Sequence, residues 1–159
     1  MISYNKLIIN ENEKTLILIP KKILNQYNRH MEYLYIAIGS GTGGLLRYLL
    51  SKWAHSLSGT SFPVGTLAVN LTGCLLIGFF SGVFEKWIIS PNIRLFIFVG
   101  LAGGFTTFSA YGLETFNLFA KAEIQAAVLN ILINTIIGIS LIFLGFALSQ
   151  LVLKTGRGV

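Results

Sequence analysis

Four apolar stretches, each about as long as a bilayer crossing, alternate with short polar breaks along this chain: residues 33–51, 64–84, 94–120 and 124–152. A membrane helix needs roughly 20 residues, and each stretch approaches or exceeds that length. The breaks are brief. The first holds Gly59 and Pro63, the second Glu85, Lys86 and Pro91, and the third only Lys121, Ala122 and Glu123. Trp53 and Trp87 stand at segment ends, where indoles favour the membrane–water interface. The pattern predicts an all-α membrane protein of four transmembrane helices, with no soluble domain between them.

Polar residues inside these stretches mark where chemistry is expected. The third contains Gly103-Gly-Phe-Thr-Thr-Phe-Ser-Ala-Tyr111. A plain lipid anchor needs neither paired glycines, which weaken a helix, nor hydroxyls where lipid offers no partner. A break at mid-membrane is tolerated only where the freed backbone is buried or lines a polar cavity. The third helix is therefore predicted to break near Gly103 to Thr106 and to form the site, with freed carbonyls able to hold a cation. Phe108 and Tyr111, at i and i+3, share a face. They either pack against a neighbour or offer the positive edges of their rings to an anion. Thr107 and Ser109 add hydroxyls beside them.

The neighbouring stretches carry matching polar stripes. Thr66, Asn70 and Gly73 lie on one face of the second helix; Asn130, Asn134 and Gly138 lie on one face of the fourth. Asn70 either bonds helices together or aims its N–H donors at an anion. In the first helix Gly39 and Gly43, four apart, allow close helix approach. Arg47, near the end of that stretch, either snorkels to headgroups or draws anions toward a vestibule. Glu114 is the one acid near the interior of a span, expected within reach of headgroups or of an arginine. Two polar stripes and a broken helix predict a narrow path lined by hydroxyls and amides rather than a wide aqueous pore.

Composition agrees with the pattern. The 159 residues are 53% hydrophobic and 11% charged, against about 25% charged in soluble domains. The net charge of +6 is no nucleic-acid footprint, because the basic residues sit in the N-terminal tail and at segment ends, where they meet headgroups or set topology. Beyond Met31, one side of the membrane is expected to hold Lys86, Arg94, Lys154 and Arg157, and the other Lys52 and Lys121 with Arg47 a turn deeper. That bias is faint. The tail adds Lys6, Lys14, Lys21, Lys22 and Arg29, which would hold the N-terminus in the cytoplasm. Residues 1–30 are expected to be disordered, loosely interfacial or an over-extended start, with the four-helix domain at 31–159. Cys74, the single cysteine, reads as a buried small hydrophobe. His30 and His55 both lie outside the spans. No metal cluster, nucleophile–base pair or phosphate loop is visible, so the chain is not expected to be an enzyme.

Three blocks, in order and in register, give the chain a family resemblance. Gly39 to Tyr48 resembles GGxxGAxxRY, Gly65 to Gly73 resembles GTLxVNxxG, and Gly103 to Tyr111 resembles GGxTTFSTF. These are blocks of the CrcB/Fluc family of fluoride channels, and the likeness runs over about residues 31–152. The resemblance implies an antiparallel, dual-topology dimer in the cell membrane, with two fluoride pores at the subunit interface. It implies passive fluoride efflux driven by the membrane potential. Arg47 would be the vestibule arginine and Asn70 the pore-lining asparagine. Phe108 and Tyr111 would stand at the two phenylalanine-box positions, and Asn134 on the polar track of the fourth helix. Thr66, Thr107 and Ser109 would add hydroxyls to the path. The carbonyls of Gly103 and Thr106 would hold a central structural Na+.

The chain departs from the family pattern at several positions. Tyr111 replaces Phe, Ala110 replaces Thr, Asn130 stands where Tyr is frequent, and Ser40 and Gly44 alter the first block. Some members pair oppositely oriented paralogues, so a heterodimer is the alternative to a homodimer. From another class, a four-helix proton-coupled exporter would need a carboxylate deep in a span. The first stretch has none between Tyr33 and Ser51.

Overall fold

Glycine governs how closely the helices approach. In the computed structural model, which describes residues 4–10, 15–59 and 62–155, with side chains from residue 29 onward, α2 (Val64–Lys86) packs most extensively on α7 (Gly138–Thr155). A Cβ on Gly78 would strike the Ile142 carbonyl, and one on Gly145 the Leu75 carbonyl. The same device joins α1 (Lys21–Ser58) to the π-helical stretch Leu95–Ala102, where a Cβ on Gly39 would lie 2.7 Å from the Phe96 carbonyl oxygen. Small residues allow such approach in membranes, where the gain comes from van der Waals packing rather than from expelling water.

Three helical runs are long and apolar enough to cross a membrane: Val64–Lys86, Pro91–Ala120 and Ile124–Thr155. The expected first span falls short of that standard in composition, although α1 runs for 38 residues. The cause is the Gly39–Gly44 cluster with Ser40, Thr42 and Arg47, residues that suit close packing and lower the hydropathy. The helix also starts upstream of Met31, because nothing in Lys21–His30 breaks it. Before it, β1 (Tyr4–Asn10) pairs antiparallel with β2 (Thr15–Pro20), with Leu7 opposite Leu18. Residues 1–3 and 11–14 of the expected tail lie outside the described residues.

The third run is built in pieces. Ser90 caps the short α3 (Pro91–Arg94), accepting from Ile93 N–H, with Pro91 in the first turn. Arg94 donates to the Phe84 carbonyl at 2.6 Å and tacks α3 to the end of α2. The π-helical stretch then leads into α4 (Gly103–Phe105), and the helix stops. Thr106 and Thr107 are extended, with ψ of 158° and 114°, before α5 (Phe108–Ala120) begins. The predicted break is present, at the two threonines. The glycines are helical, and Gly104 is needed for packing: a Cβ there would lie 2.8 Å from Ser40 Cα.

A tight turn joins α5 to α6 (Ile124–Leu132). Glu123 N–H donates to the Leu118 carbonyl and Ala122 N–H to that of Phe119, while Ala122 takes φ of 59°. This is the hydrogen-bond pattern of a Schellman cap, with alanine where glycine is usual. A second π-helical stretch, Ile133–Ile137, connects α6 to α7. Few apolar side chains are buried, Val69, Phe105 and Leu118 among them. Large ones such as Leu57, Phe116 and Phe143 face outward, as a surface covered by lipid or by another copy requires.

Candidate ion path

The break at Thr106 and Thr107 leaves backbone groups that the protein must satisfy. In an unbroken α-helix the Thr107 N–H would donate to the Gly103 carbonyl. It donates instead to Asn70 Oδ1 at 3.0 Å, and Asn70 Nδ2 donates to the Thr107 carbonyl at 3.3 Å. One side-chain amide on α2 thus holds both backbone groups of the extended residue. Thr107 also caps α5, its Oγ1 accepting from Ala110 N–H at 3.3 Å, and lies 3.2 Å from Ser109 Oγ. Thr106 keeps contact with the helix before it, its N–H and hydroxyl both donating to the Ala102 carbonyl.

From Asn70 the polar contacts run on into the fourth helical run. Asn70 Nδ2 donates to Asn134 Oδ1 at 3.1 Å. Asn134 Nδ2 donates to Asn130 Oδ1 at 2.9 Å and to the Asn130 carbonyl. Asn130 Nδ2 donates to Thr115 Oγ1 at 2.9 Å, and the Thr115 hydroxyl donates to the Tyr111 carbonyl. Asn130 is only 1% exposed, and both its Nδ2 and its Oδ1 have a protein partner away from solvent.

Two cavities flank the break. A groove of about 330 Å³ is bordered by Asn70, Thr106, Thr107, Phe108, Tyr111 and Asn134. Phe108 is 83% exposed and meets Tyr111 edge to face, with ring centroids 5.5 Å apart. The second cavity, about 520 Å³, is bordered by Arg47, Lys52, His55, Thr66, Thr107 and Ala110, among others. The cavities follow one another along α2: Thr66 and Val69 face the basic one, Asn70 to Ile77 the groove. Thr107 borders both.

Most site residues singled out from the sequence therefore converge on the break. Asn70, Thr106, Thr107, Phe108, Tyr111 and Asn134 meet at the groove, and Arg47 and Thr66 meet at the basic cavity. Ser109 touches Thr107 and is exposed. Gly103 is exposed one turn before the break. Glu114 accepts from the Thr66 hydroxyl, at 2.6 Å to Oε1, rather than from an arginine. Its Oε2 is buried with no hydrogen-bond partner. Thr115 was not evident from the sequence, since a lone threonine on an apolar helix carries no periodic signal. Lys52 and His55 follow Tyr48 at i+4 and i+7, a stripe from which the basic mouth was legible.

A family model described as CrcB-like protein, Camphor Resistance (CrcB), matches residues 34–146. The chain belongs to this CrcB family. Its match contains every candidate site residue from Arg47 to Asn134. Among curated relatives, a protein of Maridesulfovibrio salexigens is 42% identical over 124 residues, which is 77% of this chain and 98% of the relative. One from Trichormus variabilis is 43% identical over 126 residues, 78% of this chain and 91% of the relative. One from Aquifex aeolicus is 41% identical over 116 residues, 72% and 94% of the two chains. Each of the three is named a fluoride-specific ion channel.

Proposed function

We propose that this protein is a fluoride-selective channel of the cell membrane that lets fluoride leave passively and so lowers its cytoplasmic concentration. One observation carries the reading: the third helical run is broken at Thr106 and Thr107 and held open by Asn70 beside a groove edged by Phe108 and Tyr111, in a chain whose near full-length relatives are named fluoride-specific ion channels. Arg47, with Lys52 and His55, gathers anions at the basic mouth. Thr66, Thr107 and Ser109 supply hydroxyls between the mouth and the groove. Asn70, Asn134, Tyr111 and the edge of Phe108 line the groove. A hard anion needs donors and positive ring edges in place of its water; the Tyr111 hydroxyl and the Phe108 edge are of that kind, while Asn70 and Asn134 spend their amide hydrogens within the protein and shape the wall. An inside-negative potential drives an anion outward by about 2.3 kcal/mol per 100 mV, on the order of a 50-fold gradient, so no catalytic step or ATP is required.

In this reading α1 makes the fourth crossing, residues 31–159 form the channel, and two copies associate antiparallel so that each covers the other's outward apolar face. A structural Na+ fits the break. Hard cations take oxygen ligands, and Asn70 diverts the Thr107 N–H from the Gly103 carbonyl, leaving that oxygen without its helical donor. The carbonyls of Gly103 and Thr106 would hold the ion, which supplies fixed positive charge beside the path.

The test is fluoride release from liposomes loaded with fluoride and containing the purified protein, followed with a fluoride electrode. Rapid, valinomycin-dependent fluoride release with chloride retained is expected. No release, or equal chloride release, overturns the reading for a homodimer. A second reading, in which the chain needs an oppositely oriented paralogue, is favoured by the continuous α1. That helix starts at Lys21 and carries Lys21, Lys22 and Arg29 directly into the first crossing, which biases insertion to one orientation. In that case flux appears only when the paralogue is reconstituted with it.

A further inference from the structure

We propose that Asn130 and Thr115, which lie outside the groove, are positioning residues that set the direction of the hydrogen bonds holding Asn70 and Asn134 in the ion path. The proposal rests on the channel reading for its functional consequence and on hydrogen-bond geometry for its structural one. A hydroxyl has a single hydrogen. Thr115 gives its hydrogen to the Tyr111 carbonyl at 2.8 Å, so toward Asn130 its oxygen only accepts. Asn130 must then present Nδ2 to Thr115 and Oδ1 to Asn134. Asn134 answers with Nδ2, which also donates to the Asn130 carbonyl, and its Oδ1 is left facing Asn70. Asn70 in turn presents Nδ2 to Asn134 and its oxygen to the Thr107 N–H, a group that only donates. Both ends of the chain are backbone groups of fixed sense, and every amide between them has one allowed orientation. Turning any one of them sets donor against donor, or acceptor against acceptor.

The anchoring pair is buried, with Asn130 1% and Thr115 8% exposed, so water does not substitute easily for either member. They lie on α6 and α5, across the Ala122 turn from one another. The turn therefore brings the anchor together, and the anchor acts with the Asn130 carbonyl and the Thr107 backbone to fix which atoms Asn134 and Asn70 show to the groove.

The experiment compares Thr115→Val, which keeps the shape and removes the hydroxyl, with Thr115→Ser, which restores it, and with Asn130→Leu. Two readouts are taken in lipid nanodiscs and liposomes. Backbone hydrogen exchange at the Thr107 N–H, with the Trp87 and Ala127 N–H as controls, is expected to rise about tenfold in Thr115→Val and Asn130→Leu and to stay near wild type in Thr115→Ser, the size expected for losing roughly one hydrogen bond. Fluoride flux is expected to fall in the same order, with a lower fluoride-to-chloride preference. Exchange that is unchanged, or raised equally at the control amides, overturns the relay, as does Thr115→Ser behaving like Thr115→Val. Raised exchange at Thr107 with wild-type flux and selectivity overturns the functional role. If Asn130→Leu does not fold, the Thr115 pair decides alone. A wild-type protein that passes no fluoride counts against the channel reading, while exchange at Thr107 still decides the relay.

Discussion

Asn70 commits both hydrogens of its amide to the protein, one to the Thr107 carbonyl and one to Asn134. It therefore builds the wall of the groove as well as facing it. Asn70→Asp removes both donations and places a negative charge beside the proposed anion path. Fluoride flux in liposomes is expected to drop to the protein-free background; flux near wild type would remove Asn70 from the path. Tyr111→Phe takes a hydroxyl from the groove and leaves the edge-to-face contact with Phe108. Flux is expected to persist with a changed rate, and complete loss would make that hydroxyl indispensable. At this scale the sequence was informative where side chains recur on one helix face, as Thr66 and Asn70 do, or Phe108 and Tyr111. It was silent about Thr115, whose partner Asn130 lies on another helix and is brought to it by tertiary packing.

The helical run from Pro91 to Ala120 shows how an element's pieces take separate tasks. Sequence reasoning placed its interruption near Gly103 to Thr106; the extended residues are Thr106 and Thr107, at the C-terminal edge of that range. Glycine in a membrane helix signals either weakness or close approach, and one sequence does not distinguish them. Here Gly104 serves close approach against Ser40, and the chain opens two residues later, where Asn70 is available to take the backbone. Contact between α2 and α7 depends on the same use of glycine. Gly145→Val would drive two methyl groups into the Leu75 carbonyl, and a loss of about 1–3 kcal/mol is expected from overpacking, read as a lower melting temperature and less monodisperse protein. Ala122→Gly should act the other way. Relieving a left-handed alanine stabilises by about 1 kcal/mol, and a raised melting temperature in detergent is the check. No rise would mean that the looser unfolded chain of the glycine variant offsets the relief.

For the whole molecule, spacing of the apolar stretches foretold the helical architecture, since length and hydropathy are properties of the chain alone. The N-terminal hairpin and the early start of α1 were not foretold, because residues 1–30 carry no clear period; Pro20, directly before Lys21, was the available sign of the helix start. Removing residues 1–30 leaves the whole CrcB match intact. Flux per unit of inserted protein is expected to stay within about twofold of wild type, while accessibility of the C-terminus to protease, read on both faces of the membrane, becomes more evenly divided as the N-terminal positive charge is lost. Loss of all flux would make the first thirty residues part of the channel itself.

Thr107, the shared border of the two cavities, has an electrical consequence. Water and ions in a wide cavity stay near the potential of the solution that feeds it, so a membrane voltage falls mainly where the conducting space is thinnest. If each cavity opens to its own side of the bilayer, nearly the full 2.3 kcal/mol per charge at 100 mV is delivered over the few ångströms around one threonine, rather than spread over a hydrocarbon slab of about 30 Å. The residue that interrupts the helix is then also the place where the cell's voltage acts on the ion.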